Sequence, residues 1–457
     1  MAYEVIVVGG GIGGLTAAAL LAARGADVCL LERESHPGGC VAAFEKFGYT
    51  FDPSIGIFTD WQPGGIHDRV FAELPVAAPE VTFEDPAYVV RLPDQTDVPI
   101  RASKEQFEEI LRASFPECAD RAIDFYRFKN QNQTVLPSLE DTSVRFRRFV
   151  DAQLQLLTQR PSNECSSECA ATALNVARHG VFSIRGGASA LVEKLVASIK
   201  ASGARVRFDT PVLRLAYDSA GQAVGVDLLS GETVHASRAI VSNLTIWDTY
   251  GKLIGLNRTP LEIRKRLTAL SSWGVYLLYL GMDEVTASRL PNNRILALTD
   301  WQEQDYDPEM SQLMFAAARA DDPRPPDGKR AVTVMMFSDV ENWFTFHENE
   351  DQHEQQDQAM IEAWWPRLHQ AIPELGDGVE LIETATPRTF YDLTRRKLGM
   401  VGALRNASAA SNHPLGSNTS FPNVFMVGDS TLTGASIAGV TDAALALANQ
   451  LTGQRKQ

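Results

Sequence analysis

The segment from Val5 to Ala23 restricts the fold more than any other part of the chain. Val5-Ile6-Val7-Val8 is an apolar run of strand length that passes without a gap into Gly9-Gly10-Gly11-Ile12-Gly13-Gly14, and Leu15 to Ala23 is then rich in helix formers. A short, wholly apolar run of this kind reads as a strand buried on both faces of a parallel sheet. Its low charge over many residues would also suit a membrane span, but the glycine cluster breaks that reading because it builds a turn. Gly9 permits the tight turn, Gly11 lets the backbone approach a pyrophosphate with no Cβ in the way, and Gly14 lets the helix pack closely on the strand. Phosphates would meet the free N–H groups of the turn around Ile12 and Gly13, at the positive end of the helix dipole.

Gly25 closes this helix, and Val28 to Leu31 gives a second buried strand that ends at Glu32. A carboxylate roughly 20 residues beyond the glycine motif accepts from a ribose 2′-hydroxyl and disfavours a 2′-phosphate there. The segment after Glu32 decides between dinucleotides. A nicotinamide domain normally continues into another helix and a third strand. This chain instead runs through Arg33 to Pro37, then Gly38-Gly39-Cys40, and later Gly48-Tyr49-Thr50-Phe51-Asp52.

In these segments the chain resembles the carotenoid desaturase, carotenoid isomerase and retinol saturase group of FAD enzymes. The resemblance implies FAD as cofactor, with Gly38 and Gly39 passing close to it and Arg33 and Cys40 beside them. Flavin amine oxidases, more distant relatives, usually carry Arg after the paired glycines, where this chain has Cys40. A single Cys at such a place reads as a packed small side chain rather than a reactive thiol.

The chain has 457 residues, which allows two to four domains with a cavity between them. With 42 Lys plus Arg against 57 Asp plus Glu, the net charge of −15 repels phosphate backbones, so nucleic acid is not an expected partner. Five cysteines, an odd number, in a chain with no export leader point to a reducing, cytoplasmic setting.

Tyr88 to Ile100 reads as a hairpin turning at Pro93-Asp94, followed by helices over Lys104 to Ile110 and Ala119 to Lys129 and a polar break from Gln131 to Ser143. From Val144 a helical pattern runs through Phe149, Val150, Leu154 and Leu157, with Arg145, Arg147 and Arg148 near its start. We read it as a helix that packs between domains, the alternative being transient, peripheral contact with an anionic membrane surface. Ser183 to Ala188 precedes a helix over Leu191 to Ile199. Gly203 to Phe208 and Val212 to Leu215 then read as strands, a hairpin turns at Ser219-Ala220-Gly221, and Ala239 to Asn243 is a buried strand with a polar end. The resemblance implies that the chain here returns to the FAD domain and touches the adenine through the backbone near Val212, with Asn243 at the site.

From Ser271 the sequence turns to apolar strands, Val275 to Leu280, Ile295 to Leu298, Leu313 to Ala317 and Val332 to Phe337. Several are apolar on both faces, as expected of a sheet with helices on one side and an apolar cavity on the other, and plain sandwich packing would read the same way. Gln352 to Ile372 reads as a helix carrying Trp364 and Trp365. Asn423 to Val427 is a strand, Gly428-Asp429-Ser430 a turn, and Gly439 to Leu451 a helix. The resemblance implies that Asp429 bonds the ribityl chain and that this helix, with Gly439 and Val440 in its first turn, points at the pyrimidine end of the flavin. A helix dipole there would stabilise charge on the reduced cofactor by about 0.3–2 kcal/mol. Thr433, Ser436 and Ala438 stand where the group usually has Pro, Gly and Pro.

The expected fold is therefore α/β, a discontinuous Rossmann-type FAD domain (GR2-like) with a second, mixed α+β substrate domain. The FAD domain is expected from residues 1–80, 181–250 and 413–457, and the substrate domain from 81–180 and 251–412. No second GxGxxG follows a later strand, so electrons are expected to leave to oxygen or a quinone, or to return to the substrate in an isomerisation. Cys165 and Cys169 lack partners at zinc spacing, and His347, His353, Glu348, Glu350 and Asp351 read as a solvated charged loop, so no metal is expected. No residue is singled out as the catalytic base. Arg395, Arg396 and Lys397 stand shortly before Gly399 to Gly402, where the resemblance brings the chain near the flavin, and could polarise a substrate oxygen; surface placement is the preferred reading. The expected activity is FAD-dependent desaturation of a small hydrophobic substrate, an elongated polyene or isoprenoid such as a carotenoid, ahead of isomerisation or saturation. The competing readings are an amine or porphyrinogen oxidase, and a non-catalytic lipid- or protein-binding member of the fold, as in Rab GDP-dissociation inhibitors.

Overall fold

A computed structural model describes residues 2–127, 138–301, 306–344, 349–402, 416–431 and 436–453. The polar break read at Gln131 to Gln133, the last residues of the helix read to Lys129, and His347, Glu348 and Thr433 lie outside them.

Two seven-stranded sheets organise the chain. In the first, Ala2–Val8 is the hub: it pairs in parallel with Val28–Leu31 on one side and Thr233–Ser242 on the other. Arg205–Arg207 extends the parallel edge beyond Val28–Leu31. The long strand Thr233–Ser242 takes the hairpin Val212–Tyr217 and Ala223–Leu228 on its first half and Val424–Met426 on its last three residues. Alternate residues of the hub go to opposite faces, as the strand period requires. Val5 and Val7 pack with the helices Ile12–Ala23, Gly187–Ala201 and Ile437–Thr452, whereas Ile6 and Val8 pack with Ile246, Tyr250 and Leu253. Burial on both faces is why the hub reads as continuous apolar sequence.

The second sheet runs in the order Val379–Ala385, Gly274–Asp283, Lys329–Ser338, Gln312–Ala317, Arg294–Leu298, Tyr88–Arg91, Asp97–Ile100. All pairs are antiparallel except Arg294–Leu298 with Tyr88–Arg91. The hairpin expected between Tyr88 and Ile100 and the four apolar strands after Ser271 thus share this sheet. One face packs on the helix Glu350–Ala371 through Tyr276, Leu278, Phe315, Trp343, Trp364 and Leu368. The opposite face divides: Leu296, Leu298 and Met314 meet the helices Lys104–Ser114, Ala119–Arg127 and Val144–Thr158, while Tyr279 and Ala385 meet Tyr49, Phe51 and Phe390 beside a cavity.

The helix Val144–Thr158 spends its apolar stripe on this packing. Phe146, Phe149, Val150 and Leu154 are fully buried, Arg148 is buried against Asp151 at 2.9 Å, and Arg145 pairs with Asp94 at 2.6 Å. Glu350 and Asp351 form the first turn of the helix Glu350–Ala371 rather than a solvated loop. His353 likewise lies on that helix, half-buried, with Nε2 3.1 Å from Thr386 Oγ1 and its ring edge-on to Trp343. The helix starts at Glu350 because the Asn349 side chain caps it, Oδ1 accepting from Gln352 N at 3.2 Å.

A buried ionic cluster ties the two sheets together. Asp52, 1% exposed, accepts from the backbone N–H groups of Ser54 (2.9 Å) and Ala188 (3.1 Å) and from Arg324 Nη1 (2.9 Å). Arg324 also donates to Asp322. Asp52 therefore holds the segment after Tyr49–Phe51, the start of the helix Gly187–Ala201 and the approach to Lys329–Ser338 in one place.

Candidate functional site

The carboxyl ends of the first sheet's parallel strands open into a cavity of about 1290 Å³ that reaches the second sheet. Its floor is the glycine turn. Gly9 has φ +99°, and a Cβ on Gly14 would stand 2.2 Å from the Gly9 carbonyl, so the helix sits against the strand as the motif requires. Gly38 and Gly39 pass directly over this turn: Gly38 N donates to Gly10 O at 2.8 Å, and a Cβ on Gly39 would lie 3.4 Å from the Gly11 Cα. Gly9, Gly11, Ile12, Gly13, Gly38, Gly39 and Cys40 all line the cavity, with the first turn of the helix Ile12–Ala23 presenting unpaired N–H groups to it.

Glu32 lines the cavity at the end of its strand, and its carboxylate also shapes the turn. Oε2 accepts from Gly10 N at 2.5 Å and Oε1 from Glu34 N at 2.8 Å. Each oxygen retains capacity to accept again. Arg33 lines the wall with its guanidinium turned to the Leu393 carbonyl at 2.7 Å and to Glu34. Val212 lines the same end. Asn243 joins the pieces: its N donates to Val8 O at 2.8 Å and its Nδ2 to Val427 O at 3.1 Å, while its side chain fills the space over Gly11, Gly13 and Gly14.

Gly428, Asp429 and Val440 line the opposite end of the floor. Gly14 and Gly439 do not reach the cavity. Gly14 is occupied by the strand it packs on, and Gly439 donates its N–H to Ser436 Oγ at 3.1 Å, the cap of the helix Ile437–Thr452. Ser436, noted as a departure from the group's loop, is therefore the residue that starts that helix.

Arg396 corrects the expectation of a surface residue. Its side chain is 12% exposed and lines the cavity, Nη2 lies 2.8 Å from Asp429 Oδ2, and Nε donates to the Met400 carbonyl. Burial works against its charge, but Asp429 and the neighbouring Cys40 hold its pKa above the ordinary arginine value. Cys40 faces Arg396 and Thr394; burial pushes its thiol pKa up while Arg396 pulls it down. Arg395 remains half exposed. Lys397 is half-buried, 5.1 Å from the Trp247 ring, with its pKa lowered by burial. The signal for Arg396 lay in Gly399 and Gly402, two positive-φ glycines that fold the segment back onto the site.

The wall facing the second sheet is aromatic and aliphatic. Phe44, Tyr279, Ala385, Phe390 and Val401 line it, and the Tyr279 phenol is held far above its usual pKa by burial, with Asp52 and Glu383 adding to the effect. Every carboxylate that lines the cavity has a partner: Glu32 the backbone N–H groups, Glu34 Arg33, Asp248 Lys252, Glu383 Lys46 and Asp429 Arg396.

A sheet whose parallel core carries a glycine cradle, facing a largely antiparallel sheet across one shared cavity, defines a two-domain dinucleotide-binding protein. The family model of flavin containing amine oxidoreductases matches residues 12–452, and the chain belongs to that family. It is a FAD-dependent oxidoreductase. Prolycopene isomerase of Arabidopsis thaliana is 26% identical, with 96% of this chain and 80% of the relative covered. The all-trans-retinol 13,14-reductase of Danio rerio is 25% identical over 93% of this chain and 82% of the relative. An oxidoreductase crystal structure from Methanosarcina mazei shares the fold, with TM-score 0.72, 18% identity and coverage of 98% and 99%. The resemblance to the carotenoid and retinoid group therefore holds over nearly the whole chain. Among the described residues no helix is long and apolar enough to cross a membrane.

Proposed function

We propose that this chain desaturates an elongated apolar polyene or isoprenoid, with isomerisation as the closest variant of the same chemistry. The observation that carries the reading is the cavity itself. At about 1290 Å³ it exceeds the ~300–1,000 Å³ of a site for one drug-sized ligand, and Phe44, Tyr279, Ala385, Phe390 and Val401 give its far wall a continuous apolar stretch beside the paired Glu383. An amine substrate would seek an unpaired carboxylate, and every carboxylate lining this cavity is already engaged. The relatives named for prolycopene and retinol point the same way.

In this reading residues 1–80, 181–250 and 413–457 build the cofactor half and 81–180 and 251–412 the substrate half. Gly9 makes the turn, Gly11, Ile12 and Gly13 present N–H groups to the pyrophosphate, Glu32 accepts from the adenosine ribose, Val212 borders the adenine, and Asp429 accepts from the ribityl chain. Bound FAD supplies the two-electron acceptor for a hydride leaving carbon. Phe44, Tyr279, Phe390 and Val401 exclude water and hold the C–H bond in near-attack geometry, which is the main demand of hydride transfer. In net terms the substrate loses two hydrogens as a double bond forms between neighbouring carbons, and oxygen or a quinone, taking up the two electrons and two protons, ends as hydrogen peroxide or the quinol.

Purified protein reconstituted with FAD tests this. Anaerobic mixing with phytoene in detergent is expected to bleach the flavin band and yield a product with a longer chromophore, and a diamine is expected to leave the band intact. Bleaching by the diamine with none by polyenes overturns the substrate class.

A further inference from the structure

Three segments remote in sequence converge at one end of the cavity: Gly38-Gly39-Cys40, Arg396 and Gly428-Asp429. Arg396 is the buried cation of this corner. It is fixed at three points, by the Asp429 carboxylate at 2.8 Å, by the Met400 carbonyl and by the Cys40 side chain beside it. A guanidinium so tethered has little rotamer freedom left, and it lines the cavity. The capped start of the helix Ile437–Thr452 borders the same space through Ser436 and Ile437, so two sources of positive potential meet there.

We propose that Arg396 is a positioning residue of the flavin site: it aims the Asp429 carboxylate into the cavity and supplies positive charge that favours the reduced over the oxidised cofactor. The inference rests on the assignment of the cavity to FAD. The aiming follows from geometry, because a carboxylate with Oδ2 on a fixed guanidinium and Oδ1 3.5 Å from the Ser430 hydroxyl is held in one orientation. The charge effect follows from burial, since a cation in a cavity wall is screened far less than one in water. Reduction adds negative charge to the flavin, so a fixed cation nearby binds the reduced form more tightly.

The two members of the pair make opposite predictions, which a purely structural ion pair does not. Arg396→Gln removes the cation and should lower the midpoint potential. Asp429→Asn removes its counter-charge and should raise it. A tenfold change in the preference for reduced over oxidised flavin reads as about 30 mV for a two-electron couple. Potentials are measured on the holoenzymes by dye-equilibrated anaerobic reduction, with the flavin-to-protein ratio determined alongside. Arg396→Lys, which keeps the charge but not the fork, should hold the potential near the parent value while weakening FAD retention. If Arg396→Gln does not fold, Asp429→Asn and Arg396→Lys still decide the matter. Potentials equal to the parent in the variants that fold, or shifts of the same sign for Arg396→Gln and Asp429→Asn, overturn the proposal. A parent protein that binds no FAD overturns the cavity assignment instead, so the two failures are distinguishable.

Discussion

His67 makes this protein sensitive to acid in a way that one substitution can isolate. The residue sits on the short helix Ile66–Phe71, 1% exposed, with its ring stacked on Trp61 at 4.2 Å and 11°. Its Nε2 is buried with no hydrogen-bond partner. Burial pushes its pKa down to about 3. The folded protein therefore keeps the ring neutral while the unfolded chain takes up a proton below about pH 6.5. Stability from this group is fully present above that value and is lost as pH falls toward 3. At about 1.36 kcal/mol per pH unit, lowering the pH from 7.5 to 5 costs about 2 kcal/mol from His67 alone. The assay is urea unfolding of the parent and His67→Phe at both pH values. Phe keeps the stack on Trp61, and any packing cost of its larger ring falls equally at the two pH values. The parent should lose about 2 kcal/mol more than the variant on acidification. Equal losses would show that the ring is protonated in the fold and would refute the role assigned to burial.

Two further outcomes follow from the geometry. Asp52→Ala leaves Arg324 short of a buried partner and two backbone N–H groups unpaired, so it should cost about 3–5 kcal/mol in denaturant unfolding, and Asp52→Asn should cost less. Glu32→Arg removes the acceptor of the Gly10 and Glu34 N–H groups and should lower the flavin-to-protein ratio of purified protein, whereas Cys40→Ser should leave it unchanged.

The parts of the site legible in the sequence are those whose physics is local. Val5 to Glu32 declares itself because strand, turn, helix and strand each carry their own periodicity and the glycines sit where backbone geometry demands them. The strands after Ser271 are legible for the same reason, burial on both faces. Arg396 was legible only as the less favoured of two readings, because a cationic run reads as solvated until Asp429, 33 residues on, is brought beside it. The bond between Asp52 and Arg324 is hidden likewise, since neither residue carries a local sign of its partner. The start of the helix at Glu350 escaped because its signal is the single capping residue Asn349, set in a run of charge that reads as loop.

The hub strand Ala2–Val8 and the strand Val424–Met426 both pair with Thr233–Ser242, and the two ends of the cavity floor come from Gly9 and Asp429. During translation these elements emerge far apart in time. Roughly 420 residues separate Gly9 from Asp429, so at about 5–20 residues per second the glycine turn waits some ~20–80 s for the far wall of its own pocket. The cradle is itself finished by Thr233–Ser242 and Asn243, and the pocket can close around a cofactor only after its last strand has been made.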